Sequence, residues 1–133
     1  MNRRHFLLAA TATAAFAPGM SHAAGFVTYR DGLIREALAA GQTVFVDYSA
    51  TWCSTCKRQE RVINALRAAD PAYDAAMTFV KVDWDDFKSH PVTRARGIPR
   101  RSTLLVLRGE AELGRLVAGT SEADIKALMR KGL

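Results

Sequence analysis

Two cysteines are present in 133 residues, and they stand two residues apart in Trp52-Cys53-Ser54-Thr55-Cys56-Lys57. An apolar run, Val44 to Tyr48, precedes them, and a stretch with helical spacing, Arg58 to Ala69, follows. A helix that begins beside Cys53 would aim unpaired backbone N–H groups at its sulfur and favour the thiolate, which is the attacking form. Cys56 would lie one turn further on, able to close a disulfide with Cys53 and more shielded from water. That predicts a division of labour: Cys53 attacks a partner disulfide and Cys56 resolves the mixed disulfide. Lys57 and Arg58 add positive charge that would push Cys53 in the same direction.

Three other uses of the pair compete with this one. A purely structural disulfide would close a loop of two residues, which removes little chain entropy. Structural zinc needs four ligands, and beyond the first 23 residues the only histidine is His90. Covalent haem needs a histidine directly after the second cysteine, where Lys57 stands. No metal or other cofactor is expected.

The elements that must hold the pair can be read from the flanking pattern. Residues 1–23 are expected to be a leader: Arg3 and Arg4, an apolar run from Phe6 to Ala17 too short to span ~30 Å of hydrocarbon, and small residues Ser21 and Ala23 before a cleavage point. Arg3-Arg4-His5-Phe6-Leu7 is a partial match to a twin-arginine signal, so export by that route or by the general secretory route is expected. Domain 24–133 would then be released into the bacterial periplasm without stable membrane insertion. Net charge falls from +6 to +4 once the leader's two arginines are removed, and the basic residues are scattered, so no nucleic-acid surface is expected.

Within the domain, Asp31 to Ala40 predicts a helix ended by Gly41, and Val44 to Tyr48 a strand buried on both faces. The helix after the cysteines should bury Val62, Ile63 and Leu66. Ala72 to Ala76 gives a short turn, and Thr78 to Asp83 a second strand. Trp84 to Pro91 reads as a loop, and Val92 to Arg96 as one helical turn. Thr103 to Leu107 and Glu112 to Ala118 form a hairpin through Arg108-Gly109-Glu110. Ser121 opens the last helix, which buries Ile125, Leu128 and Met129. The sum is an α/β domain: a central mixed β-sheet with helices on both faces.

This chain resembles the thioredoxin superfamily, on four features in register. They are Trp52-Cys53-Ser54-Thr55-Cys56-Lys57, Asp47 six residues before Cys53, Gly97-Ile98-Pro99, and Gly119 near the end of the last strand. The resemblance implies a thioredoxin fold and a thiol–disulfide oxidoreductase. It implies that Asp47 is a buried acid with a raised pKa that takes the Cys56 proton, and that the Ile98–Pro99 bond is cis and faces the cysteines. Trp52, Ile98 and Pro99 would then bind substrate, the Ile98 backbone pairing with the partner as an added strand. Lys57 would pair with Asp47 or stand in solvent. The chain departs from the pattern at Ser54-Thr55, and at Arg100-Arg101-Ser102 between Pro99 and the next strand, where Arg100 and Arg101 could modulate the cysteines.

Resemblance and leader together predict an exported protein-disulfide reductase; its oxidising surroundings call for a membrane electron carrier as reductant, and protein disulfides, apocytochrome c among them, are the expected substrates. An oxidant of secreted proteins and a non-catalytic binding module are the alternatives.

Overall fold

The computed structural model describes residues 25–133, and the expected leader and its cleavage point lie outside them. Five strands form one sheet: β1 (Val27–Thr28), β2 (Thr43–Ser49), β3 (Met77–Asp83), β4 (Thr103–Arg108) and β5 (Ala111–Val117), in the order β1-β3-β2-β4-β5. β3 runs parallel to β1 and β2, whereas β4 is antiparallel to β2 and β5. Six helices accompany them: α1 (Leu33–Ala39), α2 (Ser54–Ala69), α3 (Ala72–Ala76), α4 (Trp84–Phe87), α5 (Pro91–Arg94) and α6 (Glu122–Arg130). The expected mixed sheet with helices on both faces is present.

Alternation along the strands divides the core in two. Phe45, Phe79, Leu104 and Val106 pack with Ile63 and Leu66 of α2 and Ile125, Leu128 and Met129 of α6. Val44, Val46, Tyr48, Val80, Val82, Leu105 and Leu107 pack on the other face with Ile34 of α1, Tyr29 and Ile98. β2 is buried along its whole length, as the continuous apolar run of a central strand requires. Asp47 shares the parity of Phe45 and so projects under α2.

Three local features differ from the sequence expectation. β1 was not expected; two residues cannot show alternation, and its pairing with Val80 and Lys81 is non-local. The segment read as a loop from Trp84 contains α4, capped by the Asp83 carboxylate, which accepts from the Asp86 N–H at 3.1 Å. α2 starts at Ser54 and includes Cys56, and it buries Gln59 and Arg67 besides Ile63 and Leu66, with Val62 only half-buried. Arg67 is paired with Asp74 at 2.6 Å and stacks over Phe79, its guanidinium 4.1 Å from the ring centroid. At the β4–β5 hairpin Gly109 takes φ +58°, the conformation that a two-residue turn asks of its first residue.

Candidate active site

Cys53 is the residue just before α2, with extended backbone at φ −88° and ψ 111°. Its sulfur does what a capping oxygen does elsewhere: it accepts the Cys56 N–H at 3.1 Å. One first-turn N–H, that of Cys56, therefore points at Cys53 Sγ, and the sulfur stands at the positive end of the helix dipole, as the spacing predicts. Cys53 and Cys56 are joined as a disulfide, with Cα atoms 5.2 Å apart. Cys56 is fully buried, and Cys53 is 2% exposed, less than expected for an attacking group. Ala50 and Trp84 pack against the pair, and this shielding went unread in the sequence because Trp84 comes from the far end of β3.

The residue that meets the sulfurs from across the site is Ser102, not Pro99. Ser102 Oγ is 3.2 Å from Cys53 Sγ and 3.0 Å from Cys56 Sγ. The expected cis bond before Pro99 is absent: every peptide bond among the described residues is trans. The reason is register. β4 begins at Thr103, opposite Tyr48, and the Ser102 N–H donates to Tyr48 O at 2.7 Å. The place directly before the strand, which the resemblance gives to the proline, falls to Ser102, three residues beyond Pro99. Ile98 turns its side chain into the core beside Tyr48, and its N–H is used by Thr93 O at 3.2 Å, so that donor is not free to pair with another chain. Pro99 is exposed.

Asp47 lies beneath α2, fully buried, and neither carboxylate oxygen has a hydrogen-bond partner among the described residues. Burial raises its pKa from 3.8 to about 7, Lys81 pulling it down and Glu60 pushing it up. Lys81 faces Asp47 across the β2–β3 ladder and is itself paired with Glu60 of α2 at 2.9 Å. Lys57, expected either to pair with Asp47 or to stand in solvent, is exposed, and the cation acting on the acid is Lys81. A lysine between Val80 and Val82 in a strand buried on both faces was the signal that could have found it.

Trp52 is 56% exposed beside the disulfide. Its Nε1–H donates to Asp85 at 2.8 Å, and the Arg101 guanidinium stacks over its ring at 4.4 Å. Arg100, the expected modulator, is half-buried and turns its Nε–H to Arg101 O at 3.1 Å. Gln59, unread in the sequence, is buried and donates from Nε2 to Ser102 O at 3.0 Å and Gly119 O at 2.9 Å. It ties α2 to both segments that border the cysteines. Gly119 thus serves through its carbonyl, and the left-handed backbone next to it belongs to Ala118, at φ +60°. A recess of about 870 Å³ between α1 and α5 contains neither cysteine.

The sequence model of the thioredoxin family matches residues 27–131. The chain belongs to the thioredoxin family. A thioredoxin of Echinococcus granulosus is 31% identical over 101 residues, covering 75% of this chain and 88% of that protein. Thioredoxin-2 of Saccharomyces cerevisiae is 36% identical over 92 residues, covering 68% and 82%. The crystal structure of Trxlp from Edwardsiella tarda superposes with a TM-score of 0.65 at 33% identity, over 76% of this chain and 95% of that one. With family membership and an intact cysteine pair, the protein is a thiol–disulfide oxidoreductase.

Proposed function

We propose that this chain is an exported protein-disulfide reductase. The observation that carries the catalytic part is the Cys53–Cys56 disulfide at the start of α2, with Cys53 Sγ accepting the Cys56 N–H and a buried acid, Asp47, on the face of the sheet that α2 covers. In the reduced protein the Cys53 thiolate attacks a partner disulfide, one sulfur of which leaves as thiolate, and a mixed disulfide forms. Cys56 then loses its proton to Asp47, whose pKa of about 7 suits it to hold a proton at neutral pH. The Cys56 thiolate attacks Cys53 Sγ and releases the reduced partner.

Two features support reduction as the direction of flow. The curated relatives are thioredoxins. A helical insertion is common in dedicated oxidases of this fold, and here the chain passes from α2 through the five residues of α3 into β3 without one. The leader-like residues 1–23 support export, and a reductase in an oxidising compartment needs a membrane electron carrier to recharge it. Apocytochrome c and mispaired secreted proteins are the substrates that compartment offers.

Insulin reduction with dithiothreitol tests turnover, and titration against glutathione tests direction. A poise near that of reductases is expected. A strongly oxidising value would make the protein an oxidant, and no turnover would make it a binding module. Cell fractionation should recover the chain, shortened at Ala23, from the periplasm.

A further inference from the structure

Ser102 is held more firmly than a loop serine needs to be. Its backbone sits at φ +63°, a conformation that costs a non-glycine residue ~1 kcal/mol or more and that persists only where surrounding bonds impose it. Those bonds are present. The Ser102 N–H donates to Tyr48 O at 2.7 Å, and its carbonyl accepts from Ala118 N–H at 2.8 Å and from Gln59 Nε2 at 3.0 Å. Ala118 is itself at φ +60°, so two strained residues lock together beside the disulfide. The result is a buried hydroxyl fixed within hydrogen-bond reach of both sulfurs.

A disulfide sulfur is a weak acceptor, so this hydroxyl gains little while the cysteines are oxidised. A thiolate is a strong one. A hydroxyl has one donor and two acceptor sites and can turn. We propose that Ser102 takes part in the redox reaction itself: in the reduced protein its O–H donates to the Cys53 thiolate while its oxygen accepts the Cys56 S–H, which places the negative charge on Cys53 and the proton on Cys56. This rests on the reading above that Cys53 is the attacking sulfur.

The electrons and protons balance without any contribution from the serine. An external dithiol gives up two electrons and two protons and becomes a disulfide; the Cys53–Cys56 bond breaks, one proton goes to Cys56 and the other to solvent, and Ser102 keeps its own. When Cys53 is later tied up in the mixed disulfide, the same O–H is free to turn to Cys56 as that sulfur gives its proton to Asp47. One rotor would thus serve whichever sulfur is charged.

The test is Ser102→Ala and Ser102→Gly in the full chain. Alanine removes the hydroxyl and keeps the strain, whereas glycine removes both. In each reduced variant the Cys53 thiol should titrate about one pKa unit higher by thiolate absorbance, because a bond to a charged acceptor is lost while the Cys56 N–H remains. The equilibrium with glutathione should move about tenfold toward the disulfide, which is roughly 30 mV. An unchanged Cys53 titration, or shifts of opposite sign in the two variants, would overturn the proposal. Insulin reduction by the unaltered protein separates the two failures: an active parent with unshifted variants rejects only the role of Ser102, and an inactive parent rejects the reductase reading.

Discussion

Replacing Asp47 by asparagine should stabilise the oxidised protein at neutral and alkaline pH. The aspartate is fully buried, its two oxygens lack partners among the described residues, and its pKa is raised from 3.8 to about 7 by burial. Well below pH 3.8 the carboxyl is neutral in both the folded and the unfolded chain, and it exerts no penalty. As pH rises, the unfolded chain ionises first and gains solvation that the folded chain is denied. The deficit therefore grows from near pH 4 and is complete above about pH 7. Roughly three pKa units at 1.36 kcal/mol each give a destabilisation of about 4 kcal/mol on the plateau. That is a large part of the ~5–15 kcal/mol that a domain possesses. Asparagine keeps the shape and removes the charge; its extra unpaired donor adds a cost that does not change with pH, so the pH-dependent part of the difference isolates the carboxylate. Relative to its value near pH 3, the gain over the parent should be already under way at pH 4, between about 1 and 2 kcal/mol at pH 5 and about 4 kcal/mol at pH 8. Urea unfolding of both oxidised proteins across that range, read as midpoint at constant slope, measures it. Stability curves that run parallel through the whole range would refute the claim that a buried, uncompensated carboxylate is present.

The two neighbours of Asp47 should act in opposite senses: Lys81→Met should raise its pKa further, and Glu60→Gln should lower it, both read by carboxyl NMR titration. Ala118→Gly should stabilise the fold by about 0.5–1 kcal/mol, because relief of the positive φ exceeds the added chain entropy, and a thermal or urea melt will show it. Cys56→Ala should leave Cys53 joined to a disulfide partner, visible as a covalent adduct on a non-reducing gel and lost on reduction. Cys53→Ser should form no such adduct.

The longer elements were legible because their periodicity is local. α1, α2 and α6 carry apolar stripes, β2 and β4 are apolar runs, and Gly41 and Gly109 punctuate them where positive φ is required. The cysteine pair was legible because its spacing at one strand–helix junction sets its position, and Asp47 was picked out by the family resemblance, not by periodicity. Ser102 was not. Its place against the sulfurs depends on which residue of β4 faces Tyr48, and Gly97-Ile98-Pro99 imitated the motif three residues too early. Lys81 was hidden likewise, because only the parallel β2–β3 register brings it opposite Asp47. Gln59 looked like a polar helix residue, and its burial follows from two carbonyls that arrive from distant segments.

The flanks of the sheet restrict how another polypeptide can approach. One margin, β1, offers only two residues to a neighbour. The other, β5, is guarded by Arg115, whose guanidinium grips the Glu112 carboxylate and the carbonyls of Arg96 and Gly97. Charged, tethered side chains of this kind discourage lateral annexation of a foreign strand. The exposed indole of Trp52 lies away from both margins, at the end of the sheet that carries the disulfide.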